Sequence, residues 1–266
     1  MRTRIAAVVS ILVLGGCGED APARNLGAER AEQAAAAFQD EEAARVWLHM
    51  MEVIAPDGGW ERARYLEFDW GVHRGDAEPS VRSHRWDRWE GRARVESETD
   101  DGTMVAIFDT EDPEAGRVWI DGSELEGEEA AERLRGAHRS HINDSYWLLM
   151  PFKWSDPGVH ATYVGTEEED GTQWEVVELR FDDGTGLTPR NMYRAFVNVE
   201  TGLMDRWHHY SNPESDPSPS EWTDWRMVGP IQLAEYRRSG GEPRLFFPHL
   251  RVETEVPEGA FDPPGS

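Results

Sequence analysis

The sequence contains very little cysteine and lysine. Cys17 is the one cysteine among 266 residues, so no disulfide can form within the chain and the core has to hold by packing. Lys153 is the one lysine among the 27 basic residues. The 52 acidic residues bring the formal net charge to −25, which repels nucleic acid phosphates and anionic lipid headgroups. This charge excludes a nucleic acid as a partner through bulk electrostatics.

Long hydrophobic runs are also missing, apart from one near the start. Residues 5–14 are apolar and follow Arg2 and Arg4, a pattern typical of a secretory signal peptide. The run is too short for a bilayer, which takes about 20 apolar residues. Residues 14–17 read Leu-Gly-Gly-Cys and resemble the bacterial lipobox, so we predict cleavage before Cys17 and a lipid on its thiol. The alternative is an ordinary signal peptide with an incidental cysteine.

The predicted signal peptide, residues 1–16, is followed by two further parts of the chain. We expect residues 17–27 to form the lipidated cysteine and a tether, and residues 28–266 to form a single domain. Since Gly18 rather than aspartate follows the cysteine, we expect an exported protein anchored to the outer membrane of a Gram-negative cell and facing the periplasm. The membrane is therefore a predicted partner, through lipid on Cys17.

Apolar spacing predicts one helix over residues 28–54 and another over residues 124–140. In the first, the apolar positions 46, 47, 50, 51 and 54 would form one stripe along the helix. This helix should end at residues 56–59, a Pro-Asp-Gly-Gly cluster. Residues 146–154 are the most apolar segment after the signal peptide, and the breaker cluster at residues 156–158 ends them.

Elsewhere, short β-rich segments alternate with turns of Gly, Asp and Pro, which predicts successive antiparallel hairpins in one curved sheet. The predicted strands are residues 65–70, 84–97, 104–110, 117–121, 160–166, 173–182, 190–199, 203–211, 221–228, 231–239 and 244–255.

Several predicted strands are apolar on both faces. In residues 103–109, Val105 and Ile107 point one way while Met104 and Phe108 point the other, unlike a strand with one solvated face. Something must therefore cover each face: a helix on one, and either residues 146–154 or an apolar ligand on the other. The twelve tryptophans are consistent with a filled core or with a lined cavity.

Three stretches of the chain resemble the LolA/LolB-like superfamily of periplasmic lipoprotein carriers. They are residues 57–68, residues 144–158, which are similar to a branch of uncharacterised outer-membrane lipoproteins in it, and residues 222–264 with WTDWR, GPIQL and VPEGAFDPP. The resemblance implies an α+β fold, an incomplete antiparallel barrel around a helical lid, with an apolar cavity for acyl chains. Receptor members are lipid-anchored, as we expect for this chain.

Motifs for catalysis or metal binding are few. His138, His141 and Asp144 are spaced three apart and could align on one side of a helix, but no fourth ligand is evident, so we expect no metal. The chain has no Gly-x-Ser-x-Gly elbow and no phosphate-binding glycine loop, and its cysteine is assigned to lipid. We therefore expect no enzyme and no cofactor.

Together these features favour a lipid-anchored periplasmic protein that binds a hydrophobic ligand, an acyl chain or a lipoprotein, in a β-sheet cavity. The alternative is a structural or interaction lipoprotein with a filled core, and an unrecognised hydrolase is less favoured. We predict that residues 147–154 gate the cavity. The predicted ligand-binding residues are Trp119, Trp147, Leu148, Met150, Phe152, Trp154, Trp174, Phe196 and Trp207.

Overall fold

The computed structural model describes residue 31 and residues 33–73, 75 and 78–265. The signal peptide, the lipidated Cys17 and the tether predicted for residues 1–27 lie outside the described residues. They stay predictions.

All fourteen strands of the described chain belong to one antiparallel sheet, whose order is β6-β5-β4-β3-β2-β1-β13-β12-β11-β10-β9-β8-β7, with β14 also paired to β1. In chain order they are β1 (Tyr65–Val72), β2 (Ser80–Asp87), β3 (Arg92–Thr99), β4 (Gly102–Asp109), β5 (Arg117–Ile120), β6 (Ser123–Glu124), β7 (Val159–Glu169), β8 (Thr172–Phe181), β9 (Met192–Asn198), β10 (Met204–Tyr210), β11 (Ser218–Val228), β12 (Ile231–Ser239), β13 (Glu242–Phe246) and β14 (Leu250–Glu253).

The sheet is open, because its two end strands, β6 and β7, are not paired with each other in the described chain. Three α-helices with both ends in the described part of the chain accompany it: α1 (Glu41–Ile54), α2 (Gly59–Arg62) and α3 (Gly127–Leu149). Residues 31 and 33–35 are helical as well. Two 3₁₀ turns, η1 (Pro113–Ala115) and η2 (Met150–Lys153), complete the elements, and η2 directly continues α3. The fold is α+β, an incomplete barrel with a helical lid, which confirms the predicted fold class.

Helix α1 begins at Asp40, whose carboxylate caps its first turn. The Oδ1 atom accepts the backbone N–H groups of Glu42 at 3.0 Å and Ala43 at 3.1 Å, and such bonds satisfy donors that a helix start leaves free. These bonds lower the pKa of Asp40, the one from Ala43 most. The predicted apolar stripe is confirmed, and the helix ends before Pro56, as expected. The buried residues of the stripe are Val46, Trp47, Met50, Met51 and Ile54.

The largest core cluster lies between α1, η2 and strands of both halves of the sheet. Four tryptophans in it are at most 2% exposed: Trp47, Trp154, Trp207 and Trp222. Much of the sheet interior is therefore filled by the protein's own side chains, at the density typical of protein cores.

Strand β4 is covered on both faces, as its sequence predicted. Met104 and Phe108 pack with Leu134 of α3 on one face. On the other face, Val105 and Ile107 pack with the C-terminal tail, where the buried contacts are Ala260 and Phe261. Three arginines of β2 and β3 donate hydrogen bonds to backbone carbonyls of residues 260–262 and fasten that tail: Arg85, Arg92 and Arg94.

Three predicted elements are interrupted in the structure. The helix predicted for residues 28–54 is interrupted, since residues 36–40 are not helical. The strand predicted for residues 84–97 is two strands, because Asp87 Oδ1 accepts the N–H of Trp89 at 3.1 Å and turns the chain before Gly91, whose φ is 67°. The last predicted strand divides into β13 and β14 around Pro248, which has no N–H to donate to a ladder.

No helix among the described residues is long and apolar enough to cross a membrane.

Candidate functional site

A cleft of about 580 Å³ lies beside α3, at the ends of β7, β8 and β9. Residues 185–188 of the loop between β8 and β9 border it on one side, and η2 borders it on another. Its volume falls within the range of about 300–1,000 Å³ typical of small-molecule sites. The apolar lining residues are Trp86, Ile142, Tyr146, Trp147, Val159, Phe181, Leu187 and Tyr193.

Aromatic rings form a continuous wall from the cleft into the core. Tyr146 packs on Tyr193, with ring centroids 5.6 Å apart, and Tyr193 stacks on Trp207 at 4.8 Å. Trp147 meets the same Trp207 edge-on at 4.6 Å. Burial raises the pKa of Tyr146 well above its ordinary value and that of Tyr193 as well, so both phenols stay neutral. This wall offers flat apolar surface without charge.

Two charged groups border the cleft, and they neutralise each other. The Nζ atom of Lys153 lies 3.0 Å from Oδ2 of Asp156, and both residues line the cleft. No arginine is among the described residues that line it. The cleft therefore has no free positive charge to attract an anionic ligand.

His141, on the wall formed by α3, has no hydrogen-bond partner for its Nδ1 atom among the described residues. The residue is 3% exposed and its ring lies against Trp86, at 5.1 Å between ring centroids, and Phe108, at 6.1 Å. Burial, followed by the positive charges of His84 and His138 when protonated, lowers the pKa of His141 to about 3. The imidazole is therefore neutral at physiological pH.

Asp144 clamps α3 to β2. Both of its carboxylate oxygens accept from Arg82, at 2.8 Å and 2.9 Å, and Oδ2 also lies 2.9 Å from Nε2 of His84. Burial alone would raise the pKa of Asp144, but the hydrogen bonds from His84 and Arg82 outweigh it and lower the pKa. The ring of Phe68 stacks on His84 at 4.7 Å. This network keeps the cleft-lining part of α3 on the sheet.

A second polar anchor fixes the end of α3. The guanidinium of Arg237, on β12, donates to the backbone oxygen of Trp147 at 2.6 Å and 3.1 Å. Arg237 is 1% exposed, and its guanidinium carbon lies 3.4 Å from the ring centroid of Trp222. Burial lowers its pKa. Trp147 lines the cleft, so this bond holds one wall of it in place.

The structure distributes the nine predicted ligand-binding residues over three places. Trp147 lines the cleft. Five residues lie in the main core behind it: Leu148, Met150, Phe152, Trp154 and Trp207.

The remaining three lie on the other face of the sheet. Phe196 stands between Ala195 and Val197, which point into the main core, and it clusters instead with Trp174 and Val176. Trp119 packs with residues of β4 and with the C-terminal tail, including Phe261. These three residues therefore do not border the cleft. Strand alternation separates the two faces of a sheet without identifying the concave one. Whether any of the nine residues binds a ligand stays a prediction.

Several cleft residues were missed because the helix predicted for residues 124–140 is too short. The structure continues it to Leu149, so that His138, Ile142 and Tyr146, spaced four apart, share one face. Asn143, Asp144 and Ser145 are weaker helix formers than alanine or leucine. The bonds of Asp144 to the sheet outweigh that preference.

The His138, His141 and Asp144 spacing does not form a metal site. Asp144 is held by Arg82 and His84, and Nε2 of His138 donates to the backbone oxygen of Thr110 at 3.2 Å. No group of three or more potential metal ligands occurs in the described part of the chain.

No protein-family model and no curated protein sequence matches this chain at a significant level. Three solved structures are similar to it in fold. The first is a LolA superfamily protein from Nitrosomonas europaea, with 12% identity, 82% of this chain and 96% of that chain covered, and a TM-score of 0.45. A DUF1329 family protein from Desulfovibrio piger has 10% identity, with 89% and 96% covered and a TM-score of 0.44.

The third, from Vibrio parahaemolyticus, is described as an outer membrane lipoprotein-sorting protein domain. It has 10% identity, with 89% of this chain and 96% of that chain covered, and a TM-score of 0.41. A LolA superfamily protein is thus one of the solved structures that this chain is similar to.

Proposed function

We propose that this chain is a lipid-anchored, non-enzymatic protein of the periplasm that binds the apolar chain of a ligand in the cleft beside α3. The observation that supports the proposal is the cleft itself, which combines about 580 Å³ with an aromatic wall and a self-neutralised ion pair. Transferring about ten methylene groups from water into such a site would release about 8 kcal/mol before the costs of association. An acyl chain fits this description.

The proposal can be tested with two valines of the same edge strand. Val159 lines the cleft, whereas Val164, five residues along β7, is 47% exposed. Val159→Asp would place a carboxylate against the bound apolar chain. Burying that charge without a partner is strongly unfavourable. The same substitution at position 164 changes the net charge equally but leaves the cleft untouched.

The experiment uses residues 18–266, exported behind an unlipidated signal peptide, so that the lipid predicted on Cys17 is absent. Native mass spectrometry shows whether a ligand is purified with the chain, and fluorescence follows uptake of the neutral apolar probe N-phenylnaphthylamine. We expect uptake by the unmodified chain and by Val164→Asp, and at least a tenfold weaker affinity for Val159→Asp. A ligand-free chain that takes up no probe, or equal affinities of the two variants, would contradict the proposal.

The anchor is proposed on the sequence of residues 1–17 alone, and it gives the binding domain a fixed place on the membrane. A fixed protein that holds an apolar chain suits the role of a receptor or a store better than that of a diffusing carrier. The outer-membrane address rests on Gly18.

A second candidate function is a structural or interaction lipoprotein without a ligand. It is favoured by the filled interior of the sheet, where the indoles of Trp154, Trp207 and Trp222 occupy space that a larger cavity would need. The same experiment separates the two functions, because a filled core with no ligand takes up no probe.

A further inference from the structure

His141, in the wall of the cleft, leaves a buried polar atom unpaired. Its Nδ1 atom is buried and has no hydrogen-bond partner in the described chain, although the residue borders the cleft. Buried polar atoms in native proteins are nearly always paired, because leaving one unpaired costs free energy. Since the ring of His141 borders the cleft and forms no hydrogen bond within the described chain, it is a place where a ligand could supply a partner.

The charge state of the cleft restricts what that partner can be. With its pKa near 3, His141 is neutral, and a neutral imidazole has one donor nitrogen and one acceptor nitrogen. The ammonium of Lys153 is already paired with Asp156 at 3.0 Å. A carboxylate or phosphate in the cleft would lose its hydration without gaining a free positive charge, which is unfavourable. The net charge of −25 opposes an anion further.

We propose that the ligand is a neutral amphiphile and that His141 forms a hydrogen bond with an uncharged oxygen group of it, a hydroxyl or the carbonyl of an ester or amide. This inference rests on the proposed function, because it names the ligand class of the same cleft. The apolar part of the ligand would lie along Tyr146, Phe181 and Tyr193, and the oxygen group would lie at His141. A free fatty acid, ionised at neutral pH, is the ligand that this arrangement disfavours.

The chain contains a control histidine outside the cleft. His160 lies near the start of β7, its side chain is 41% exposed, and its Nε2 atom lies 2.7 Å from Oδ1 of Asp182. It is not among the described residues that line the cleft. His160→Phe therefore removes an imidazole away from the ligand, whereas His141→Phe removes one that borders the cleft.

The test measures how well dodecane, dodecanol and dodecanoate displace N-phenylnaphthylamine from residues 18–266 at neutral pH. These three ligands share one chain length and differ in the polar group. We expect dodecanol to bind about threefold to tenfold more tightly than dodecane, the range set by one net hydrogen bond, and more tightly than dodecanoate. His141→Phe should bind dodecane and dodecanol equally, while His160→Phe should keep the preference of the unmodified chain.

A second measurement avoids dependence on the folding of the variants. The imidazole nitrogen NMR signals of His141 in the unmodified chain should shift on adding dodecanol and not on adding dodecane. Equal affinities for dodecane and dodecanol, tightest binding of dodecanoate, or a preference that survives in His141→Phe would overturn the inference while leaving the proposed function standing. Failure of all three ligands to displace the probe, or no probe uptake at all, would overturn both.

Discussion

Arg237 donates two hydrogen bonds from β12 to the backbone oxygen of Trp147, a residue that lines the cleft. A third nitrogen, Nη1, donates within the strand to the backbone oxygens of Ala234 and Tyr236, at 3.1 Å and 3.2 Å. The guanidinium is thus buried on backbone carbonyls and on the face of Trp222, without a carboxylate partner in the described chain. It joins the sheet to the point where α3 passes into η2.

Replacing Arg237 by leucine should loosen this junction. The change removes the donors and leaves the buried backbone oxygen of Trp147 unpaired, which we expect to cost about 1–3 kcal/mol in the free energy of unfolding. Urea denaturation measures it. The matched control is Arg238→Leu, because Arg238 is the next residue and reaches Thr223 on the surface, so its loss should cost less than about 1 kcal/mol.

The effect should also be local. Amide hydrogen exchange of residues 147–153 should become faster in Arg237→Leu and stay unchanged in Arg238→Leu, since only the first variant frees the end of α3. Equal stability of the two variants would show that Arg237 is not an anchor.

The clamp at Asp144 allows a second prediction. Asp144→Ala removes the acceptor of Arg82 and His84 and should cost about 3 kcal/mol, because breaking a buried ion pair leaves its partners unpaired. A matched exposed pair is available in His160 and Asp182, which lie 2.7 Å apart at the surface. Asp182→Ala should cost at most about 1 kcal/mol. Thermal or urea unfolding compares them, and similar losses in both variants would argue against the clamp.

Much of the architecture could be predicted from local sequence. The stripe on α1, the Pro-Asp-Gly-Gly end of that helix, most strands and the two-sided burial of β4 all follow from periodicity and turn residues. The features that local sequence did not predict depend on contacts between residues that are far apart in the sequence. Helix α3 runs through weak helix formers because Asp144 is bonded to Arg82, which lies 62 positions earlier in the sequence.

The cleft was harder to predict because alternation separates two faces of a strand without saying which is concave. Trp174 and Phe196 have the pattern of buried strand residues, and the structure buries them. They lie on the outer face of the sheet, however, where the guanidinium of Arg206 covers the ring of Trp174. Tyr193, on the same strand as Phe196, faces the cleft instead. The spacing of His141 is compatible with a metal ligand, and no pattern in the sequence shows that its Nδ1 atom would be left unpaired.

The C-terminal tail should contribute measurably to stability. Phe261 is 6% exposed, packs edge-on against Tyr65 with ring centroids 6.3 Å apart, and lies under the guanidinium of Arg92. Phe261→Ala should therefore destabilise the protein by about 3 kcal/mol, as large-to-small changes in a core do. Met227→Ala is the control, since Met227 is 49% exposed and its loss should stay within about 0.5 kcal/mol. Equal urea midpoints would mean that the tail is not part of the core.

The lipid anchor is testable in cells without reference to the folded domain. Cys17→Ser removes the thiol that would accept the lipid, so the variant should lose incorporation of a labelled fatty acid and should no longer sediment with membranes. A Ser10→Ala variant, altered within the signal peptide but away from the cleavage site, should keep both properties. Membrane association that survives the loss of Cys17 would show that the chain is held by something other than this lipid.

The neutral state of His141 predicts how stability depends on pH. Its pKa falls from 6.5 in the unfolded chain to about 3 in the folded one, so the unfolded state binds the proton first as the pH decreases. The folded protein therefore loses stability below about pH 6.5, by about 2 kcal/mol on reaching pH 4.5. The other titratable or charged groups that act on this ring are His84, His138, Asp144 and Lys153.

The contribution of His141 can be isolated by comparing the unmodified chain with His141→Leu in urea at pH 6.5 and at pH 4.5. His141→Leu has no imidazole at this position and should not lose stability in this way. Relative to the unmodified chain, its free energy of unfolding should therefore be about 2 kcal/mol more favourable at pH 4.5 than at pH 6.5. Asp144 affects stability in a different pH range. Because its pKa is lowered in the folded protein, its contribution to stability is lost only as the pH falls below about 4. A slope that persists in His141→Leu would mean that His141 does not stay neutral in the folded protein.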